Sequence, residues 1–240
     1  MNLGHNINEV FHSFGYHVKP IDEIFGYQRN ELMRSYGIDL VIDVGANVGQ
    51  YGEEIRRYGY RGRICSFEPV SSAFGYLEKR AARDGNWTAV RAALGEANAT
   101  LRMNVSGHSA SSSLLPMLGR LADVAPESKY VATEDVSVAR LDEAWDLQAY
   151  RSENALLKLD TQGYEAMVLK GAAGVLSHIK LIECELSTVA LYDGQLLLIE
   201  MLNLFDELGF ESVNFAPVFF DPKSRKCLQL NGIFARWLVA

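Results

Sequence analysis

The chain has 240 residues, 48% of them apolar, which excludes an intrinsically disordered protein and allows one large domain, or one domain with an attached cap. The formal net charge is −7 and no run of Lys or Arg occurs, so the composition argues against a nucleic-acid partner. Three scattered cysteines, no secretory signal pattern and no apolar run near the roughly 20 residues that span a bilayer predict a cytoplasmic protein without stable membrane insertion.

Short apolar runs alternate with amphipathic segments along most of the chain, a pattern typical of a parallel sheet flanked by helices. The predicted elements, in chain order, are strand Asp39–Val44, helix Asn47–Tyr58, strand Arg63–Phe67, helix Ser71–Arg83, strands Trp87–Ala92 and Ala155–Leu159, helix Tyr164–Leu169, strand Ile179–Leu186 and helix Gln195–Leu208. Two last strands, Phe210–Phe215 and Leu230–Arg236, are predicted to close the sheet as an antiparallel hairpin. The fold class is therefore α/β.

Two regions depart from this alternation. Residues 1–36 are predicted to form a helical cap on a domain of residues 37–240, with their aromatic side chains packed against it rather than exposed for sugar stacking. Residues 95–140 are an insertion rich in Ser, Gly and Pro, and we expect them to form a lid over the sheet edge where ligands bind. The aromatic residues of the predicted cap are Phe11, Phe14, Tyr16, Phe25, Tyr27 and Tyr36.

The first strand turns directly into a helix, at the place where open α/β sheets bind their ligands. Gly45 and Gly49 permit a sharp turn and a close approach to a ligand, and the start of the helix offers unpaired N–H groups. A dinucleotide site would require a glycine at the position of Asn47. Asp43 would repel a pyrophosphate but suits an ammonium or sulfonium group, so the loop favours a cofactor of that charge.

A second acid, Glu68, ends the next strand, where a carboxylate can accept hydrogen bonds from both hydroxyls of a ribose. The simpler interpretation is a tight turn beside a solvated acid. The succession of acid, glycine turn, helix, strand and second acid favours a cofactor site over that interpretation.

At this point the chain resembles the FkbM family of methyltransferases, through VIDVGANVGQY at residues 41–51, FEP at 67–69, AALG at 92–95, LKLDTQGYE at 157–165 and LNGIF at 230–234. The resemblance implies a Rossmann-like seven-stranded fold, S-adenosylmethionine as cofactor, and O-methylation of a hydroxyl, commonly on a sugar or a polyketide product. The serine run and the overall length also look like members that methylate sugars of mycobacterial surface glycolipids.

The resemblance implies cofactor contacts along the glycine loop, at the second acid and after the third strand. The family's closing motif usually carries an acid where this chain has Gly232-Ile233, so we leave that end out of the predicted site. The residues predicted to contact S-adenosylmethionine are Asp43, Gly45, Ala46, Asn47, Gly49, Gln50, Glu68 and Ala93.

Removal of the hydroxyl proton requires a base, for which the sequence offers two candidates. Asp160 ends the fourth strand, beside the first, so its carboxylate should emerge near the transferable methyl group; the alternative is that it caps the following helix. His108 lies in the predicted lid among serines, and an imidazole can serve as a base, but it also fits an exposed loop histidine. The serines could bind the cofactor carboxylate or sugar hydroxyls, or form only a flexible loop.

Glu183 and Glu185 alternate along the fifth strand, which puts both acids on one face of the sheet. Lys158 is the predicted salt-bridge partner, in preference to a role for these acids in substrate binding. No His and Cys spacing suggests a metal site, and we predict none.

The leading hypothesis is thus an S-adenosylmethionine-dependent O-methyltransferase with a small-molecule or glycolipid acceptor. Two alternatives stay open at this point. One is a nicotinamide-dependent oxidoreductase built on the same sheet, and the other is a catalytically inactive methyltransferase fold that serves as a binding subunit. The sequence does not indicate an oligomeric state or a particular acceptor.

Overall fold

The computed structural model describes residues 11–144 and 154–236. Its strands are β1 (Leu40–Val44), β2 (Arg63–Phe67), β3 (Trp87–Val90), β4 (Ala93–Leu94), β5 (Ala99–Ser106), β6 (Tyr130–Ala139), β7 (Ala155–Leu159), β8 (Ile179–Ser187), β9 (Phe210–Phe220) and β10 (Cys227–Arg236). Its α-helices are α1 (Phe25–Ser35), α2 (Gln50–Arg57), α3 (Ser71–Ala81), α4 (Gly119–Val124), α5 (Leu141–Ala144), α6 (Glu165–Gly171) and α7 (Leu198–Glu207). Within these described ranges, no helix is both long and apolar enough to cross a bilayer.

The main sheet has seven strands in the order β3-β2-β1-β7-β8-β10-β9. Strand β10 runs antiparallel to both of its neighbours, while the other pairs of this sheet are parallel. This order, with its C-terminal hairpin, confirms the predicted Rossmann-like seven-stranded fold.

The central strands β1 and β7 are buried along their whole length, as expected of parallel strands with helices on both faces. One apolar cluster includes Leu157, Leu159 and Phe205, and a second, on the other face of the sheet, includes Ile55 and Leu156. The two clusters hold the carboxyl ends of the central strands in fixed positions.

Several predicted boundaries differ from the structure: β9 extends to Phe220 and β10 begins at Cys227, so the hairpin is longer than predicted. Two further differences have local reasons. Helix α2 begins at Gln50 rather than at Asn47, because Asn47 and Gly49 have φ angles of 49° and 90°, which a right-handed helix does not contain. Strand β3 ends at Val90 rather than at Ala92, because the Ala92 N–H turns back to the Val90 carbonyl.

Residues 95–140 contain two strands that the sequence analysis did not assign, β5 and β6, which pair antiparallel. The first four residues of β5 are all exposed, but apolar and polar residues alternate along Ala99–Ser106, and this alternation is the signal that could have predicted the strand. Strand β4 pairs parallel with β6, so this second sheet has three strands in the order β4-β6-β5. Its buried face, which includes Met103 and Val136, packs against Val70 and Ala73 at the start of α3. The insertion is therefore a small sheet, and residues 107–129 connect its two long strands.

The N-terminal segment packs only in part. Helix α1 buries Arg29 and Met33, but Phe11, Phe14 and Tyr16 are 42%, 71% and 69% exposed, so the expected packing of these three aromatic rings is wrong. Too few apolar neighbours surround residues 11–24 to cover them. The first ten residues of the predicted cap lie outside the described ranges.

Gly45→Ala should destabilise the protein strongly. A Cβ at position 45 would lie 1.9 Å from the carbonyl oxygen of Asp160, and the φ of Gly45 is +79°. Left-handed strain alone costs of order 1–3 kcal/mol, and the contact would also force the ends of β1 and β7 apart. Urea unfolding should therefore show a loss of more than about 3 kcal/mol in the free energy of unfolding.

Gly194→Ala is the matched control, since Gly194 has a φ of +76° and no atom lies within 4 Å of an added Cβ. It should lose only about 1–2 kcal/mol, the cost of the backbone conformation. Equal losses in the two variants would contradict the close approach of Gly45 to Asp160.

Candidate active site

A cleft of about 610 Å³, partly open to solvent, lies where β1, β2 and β7 end. Its walls come from the loops after these strands, from β4, and from the connection between β5 and β6. Among the residues predicted for the site, those that line the cleft are Gly45, Asn47, Gln50, Glu68, Ala93 and Asp160.

The turn after β1 is tied to both neighbouring strands by its backbone. The N–H groups of Gly45 and Ala46 donate to the Phe67 carbonyl, each at 3.0 Å, and the Asp160 N–H donates to the Val44 carbonyl at 3.1 Å. Because Gly45 has no side chain, the Asp160 carbonyl can pack directly against it. The glycine loop, Glu68 and Asp160 are therefore held together at one point of the sheet edge.

Asn47 presents an acceptor that has no partner. Its Oδ1 atom is buried and unbonded among the described residues, and the residue lines the cleft in a left-handed conformation. A buried carbonyl oxygen without a hydrogen bond is costly, so this geometry fits a ligand that supplies an N–H or O–H donor.

Glu68 accepts one backbone hydrogen bond on each carboxylate oxygen. Asn47 N–H donates to Oε2 and Val70 N–H donates to Oε1, both at 2.8 Å. Burial raises the pKa of Glu68 to about 7, although these two N–H groups act in the opposite direction. Each oxygen can accept a further hydrogen bond, so Glu68 keeps acceptor capacity for ligand hydroxyls.

Three predicted cofactor residues lie behind the cleft wall rather than on it. Asp43 is 1% exposed and accepts a hydrogen bond from Ser66 Oγ at 2.9 Å. Ala46 belongs to the apolar core, and Gly49 precedes α2, packed against Leu77 and the Trp87 ring. These three residues support the loop on its core side and do not line the cleft.

Of the two base candidates, Asp160 and His108, only Asp160 lines the cleft. Its side chain is 35% exposed, Oδ2 bonds the Lys158 ammonium group at 3.0 Å, and Oδ1 accepts from Gln162 Nε2 at 2.8 Å. It does not cap α6, because the N-cap residue of that helix is Tyr164 and no side chain makes a cap hydrogen bond there. The carboxylate is thus left for the cleft.

Lys158 is the buried cation beneath this carboxylate, and it also lies 5.4 Å from the centre of the Tyr51 ring. Burial alone would lower the pKa of Lys158, but Asp160, Glu183 and Asp43 together raise it above its ordinary value. Lys158 therefore remains positively charged at neutral pH.

Glu183 has a different partner from the one predicted. Its Oε2 accepts from the Tyr51 hydroxyl at 2.7 Å and lies 3.6 Å from Arg29 Nη1, while Lys158 forms its hydrogen-bonded ion pair with Asp160. Arg29 comes from α1 and is 1% exposed. The sequence could not indicate this pairing, because more than 150 residues separate its two members.

Glu185 is bonded by two amide groups, Gln162 Nε2 at 3.0 Å and Gln229 Nε2 at 2.6 Å. Burial, followed by the charge of Asp160, raises the pKa of Glu185 to about 8. The sequence analysis gave no role to Gln162 or Gln229, since an amide in a loop or strand has no distinctive spacing.

His108 is exposed and does not line the cleft, and its backbone N–H donates to Ser106 Oγ. Two serines of the same run, Ser109 and Ser112, do line it. Ser106 Oγ itself donates to the Ser128 carbonyl, so part of the run serves to fold the connection between β5 and β6. Catalysis by His108 stays a prediction.

Asp43→Asn should change how stability depends on pH. Burial raises the pKa of Asp43 to about 6, so the folded protein binds a proton that the unfolded chain releases near pH 4. The stability contributed by that proton is present below the unfolded pKa and is lost as pH rises to the folded pKa. Relative to the Asp43→Asn variant, the wild type should lose about 2 kcal/mol between pH 4.5 and pH 6 and little more above pH 7.

Urea unfolding across this pH range, without cofactor, measures the difference. Asp206→Asn, at an exposed position on α7, is the control and should give no pH-dependent difference. A constant difference between wild type and the Asp43→Asn variant from pH 4.5 to pH 7.5 would rule out a raised pKa at Asp43.

Solved structures with similar folds include three methyltransferases. Magnesium protoporphyrin IX methyltransferase from Synechocystis is 11% identical, covering 99% of this chain and 98% of its own, with a TM-score of 0.46. An rRNA methylase from Streptococcus thermophilus is 9% identical, with 93% of this chain and 100% of the other covered and a TM-score of 0.47. The enzyme 1,6-didemethyltoxoflavin-N1-methyltransferase from Burkholderia thailandensis is 12% identical, with 97% of this chain and 83% of the other covered and a TM-score of 0.46. At these identities and TM-scores the three proteins say nothing about the acceptor of this chain.

No curated protein matches the sequence. The profile of the Methyltransferase FkbM domain matches residues 43–212, more than two thirds of the chain, and includes the glycine loop, Glu68 and Asp160. This match decides against the oxidoreductase alternative. The chain belongs to the FkbM methyltransferase family, and its cofactor is S-adenosylmethionine.

Proposed function

We propose that the protein methylates a hydroxyl oxygen of a sugar, a glycolipid or a related natural product. The observation that carries this proposal is the Asp160 carboxylate, which stands at the cleft with one donor fixed on each oxygen. A hydroxyl must lose its proton as it is methylated, whereas a neutral amine can react through its free electron pair. A positioned carboxylate therefore favours an oxygen acceptor.

The residues that would hold the cofactor are those of the cleft wall. Glu68 has acceptor capacity for the ribose hydroxyls, and the unpartnered Oδ1 of Asn47 suits an ammonium or hydroxyl donor. Bound S-adenosylmethionine supplies an electrophilic methyl group on a sulfonium sulfur.

In the proposed reaction, Asp160 would accept the proton that the acceptor hydroxyl loses, with its two oxygens held by Lys158 and Gln162. The protonated Asp160 no longer balances Lys158, but Glu183 and Asp43 face the same ammonium group and still compensate its charge. Proton transfer thus leaves no buried cation without a counter-charge.

We further propose that the acceptor is a small molecule or a glycolipid in the cytoplasm rather than a nucleic acid. The net charge of −7 supports this choice, because a polyanion would be repelled at long range. An inactive binding subunit is the second candidate, and a direct search for methyl transfer distinguishes it.

The direct test uses methyl-labelled S-adenosylmethionine with lipid and sugar extracts of the source organism. We expect the label in an O-methyl ether that survives acid hydrolysis to the monosaccharide. Label on an amine or a carbon atom would refute the hydroxyl assignment. No transfer to any fraction, with tight cofactor binding retained, would favour the binding subunit.

Glu68→Gln should abolish recognition of the cofactor ribose. In the wild type, S-adenosylhomocysteine should bind more tightly than its 2′,3′-dideoxy analogue, because a hydrogen bond to a carboxylate is worth about 1.5–3 kcal/mol. In the variant, the two affinities should agree within about threefold. Calorimetry with both ligands on both proteins gives the four values required.

Glu134→Gln is the control, since Glu134 also accepts a backbone N–H, from Ser71, but does not line the cleft. It should discriminate between the two ligands as the wild type does. Full discrimination by the Glu68 variant would exclude Glu68 as the ribose acceptor.

Asp160→Asn should lower kcat by about 10²–10⁴-fold and leave the affinity for S-adenosylhomocysteine nearly unchanged. The substitution keeps the size of the side chain but removes the oxygen that takes the proton. Steady-state kinetics with the acceptor identified by labelling, together with calorimetry, measure the two quantities.

His108→Ala is the comparison variant and should retain most of kcat, because His108 lies outside the cleft wall. A larger kcat defect in the His108 variant would transfer the role of base to that residue. If Asp160 only positions the acceptor, KM should rise instead and kcat should survive at saturation.

A further inference from the structure

The side-chain amide of Gln162 joins two carboxylates that come from different strands. Nε2 donates to Asp160 Oδ1 at 2.8 Å and to Glu185 Oε2 at 3.0 Å, so both of its hydrogens are used. Oε1 accepts from the Tyr192 hydroxyl at 2.8 Å. Every polar atom of this side chain is thus bonded, although the residue lies in a loop that lines the cleft.

The chemistry of the partners fixes the orientation of this amide. A flipped amide would place its oxygen against Asp160 Oδ1, and the Asp160 carboxylate, paired with the Lys158 ammonium group, offers no donor to it. In the observed orientation, the hydroxyl of the buried Tyr192 donates to the amide oxygen. The NH₂ group must therefore face Asp160 and Glu185.

The backbone of Gln162 is also held in an unusual state. Its φ is +56°, a conformation that a residue with a side chain rarely adopts, and the Ser113 hydroxyl donates to its carbonyl at 2.7 Å. Ser113 is fully buried and belongs to the connection between β5 and β6. The bond from Ser113 helps to hold this conformation, and the conformation directs the amide between the ends of β7 and β8.

Without Gln162, the Asp160 side chain would have a single anchor, the Lys158 ammonium group on Oδ2. One donor leaves the partly exposed carboxylate free to rotate about its side-chain bonds. Two donors on different oxygens define its plane and leave one remaining lone-pair direction on each oxygen. A proton acceptor needs such a fixed direction, because misplacement by about 1 Å can cost 10²-fold in rate.

We propose that Gln162 is a positioning residue that fixes the Asp160 carboxylate for proton removal, with Glu185 and Tyr192 as the anchors of its amide. This inference rests on the proposed function, since it assigns to Gln162 a role in that reaction. The role differs from acceptor binding, because all three polar contacts of the side chain are made to the protein.

The first test reads the geometry without any acceptor. In ¹H–¹⁵N NMR spectra of the wild type, the Gln162 side-chain amide, assigned by its loss in Gln162→Met, should lie away from the free-amide position and exchange slowly with solvent. Glu185→Ala should move it markedly, while Glu185→Gln, which keeps an acceptor oxygen, should move it little. A signal at the free-amide position that Glu185→Ala leaves unchanged would overturn the proposal.

The second test measures kcat of the methyl transfer. Gln162→Met keeps the length of the side chain and removes its polar atoms, and it should lower kcat by about 10- to 100-fold. Its KM for the acceptor and its Kd for S-adenosylhomocysteine should stay within about threefold of the wild-type values, because the cleft wall keeps its shape. Equal kcat in variant and wild type, or a Kd weakened by the same factor as kcat, would overturn the positioning role.

Gln28→Met is the matched control, because Gln28 is a half-buried glutamine on α1 whose hydrogen bond, from Asn214, lies outside the cleft. Its kcat should equal that of the wild type.

If Gln162→Met does not fold, Tyr192→Phe removes only the hydroxyl that holds the amide oxygen, and it should lower kcat severalfold at unchanged Kd. Unchanged kcat in that variant would count as a failure of the proposal.

The two proposals fail in distinguishable ways. An NMR signal that responds to Glu185→Ala, combined with label on an amine or a carbon atom, refutes hydroxyl methylation but not the orientation of Asp160. A free-amide signal combined with O-methyl product refutes the role of Gln162 alone.

Discussion

The site depends on one buried cation, the ammonium group of Lys158, which faces three carboxylates in the middle of the sheet. Strand register places Asp43 and Glu183 on either side of it, one residue below the sheet edge, and Asp160 follows two residues later on the same face. A charge without a counter-charge at this depth would be very costly, so these residues are interdependent. The cofactor loop and the candidate base both take their electrostatic environment from this group.

The N-terminal helix takes part in the same charge balance. Three acids exceed what one lysine can neutralise, and Arg29 of α1 lies beside Glu183 and also bonds Glu54. A helix that the sequence indicates only as a cover thus supplies the second buried cation, which ties its packing to the state of the active site. The exposed aromatic residues Phe11, Phe14 and Tyr16 have no part in this charge balance.

The insertion, which forms the small second sheet, contacts the loop that follows β7. Its connection contributes Ser109 and Ser112 to the cleft wall, and Ser113 bonds the backbone of Gln162. The alternation of apolar and polar residues along β5 indicates a strand, but no local pattern indicates its partner, because its pairing with β6 joins residues far apart in the chain. One wall of the cleft is therefore formed by a segment whose structure is set by long-range pairing.

The sequence by itself determined the family, the α/β class and the strands that carry the site, because buried parallel strands and glycine turns are local patterns with few alternatives. It also predicted that Asp160 and Glu68 lie at the ends of their strands, where both line the cleft, since an acid at a strand end has a predictable location. Lys158 and Asp160 are two residues apart at one strand end, whereas tertiary structure decided that Glu183 meets Arg29 and that Gln162 reaches Glu185 of β8. The physical reason is distance along the chain, because these contacts form only when separate strands and a remote helix come together, and no local pattern of residues encodes them.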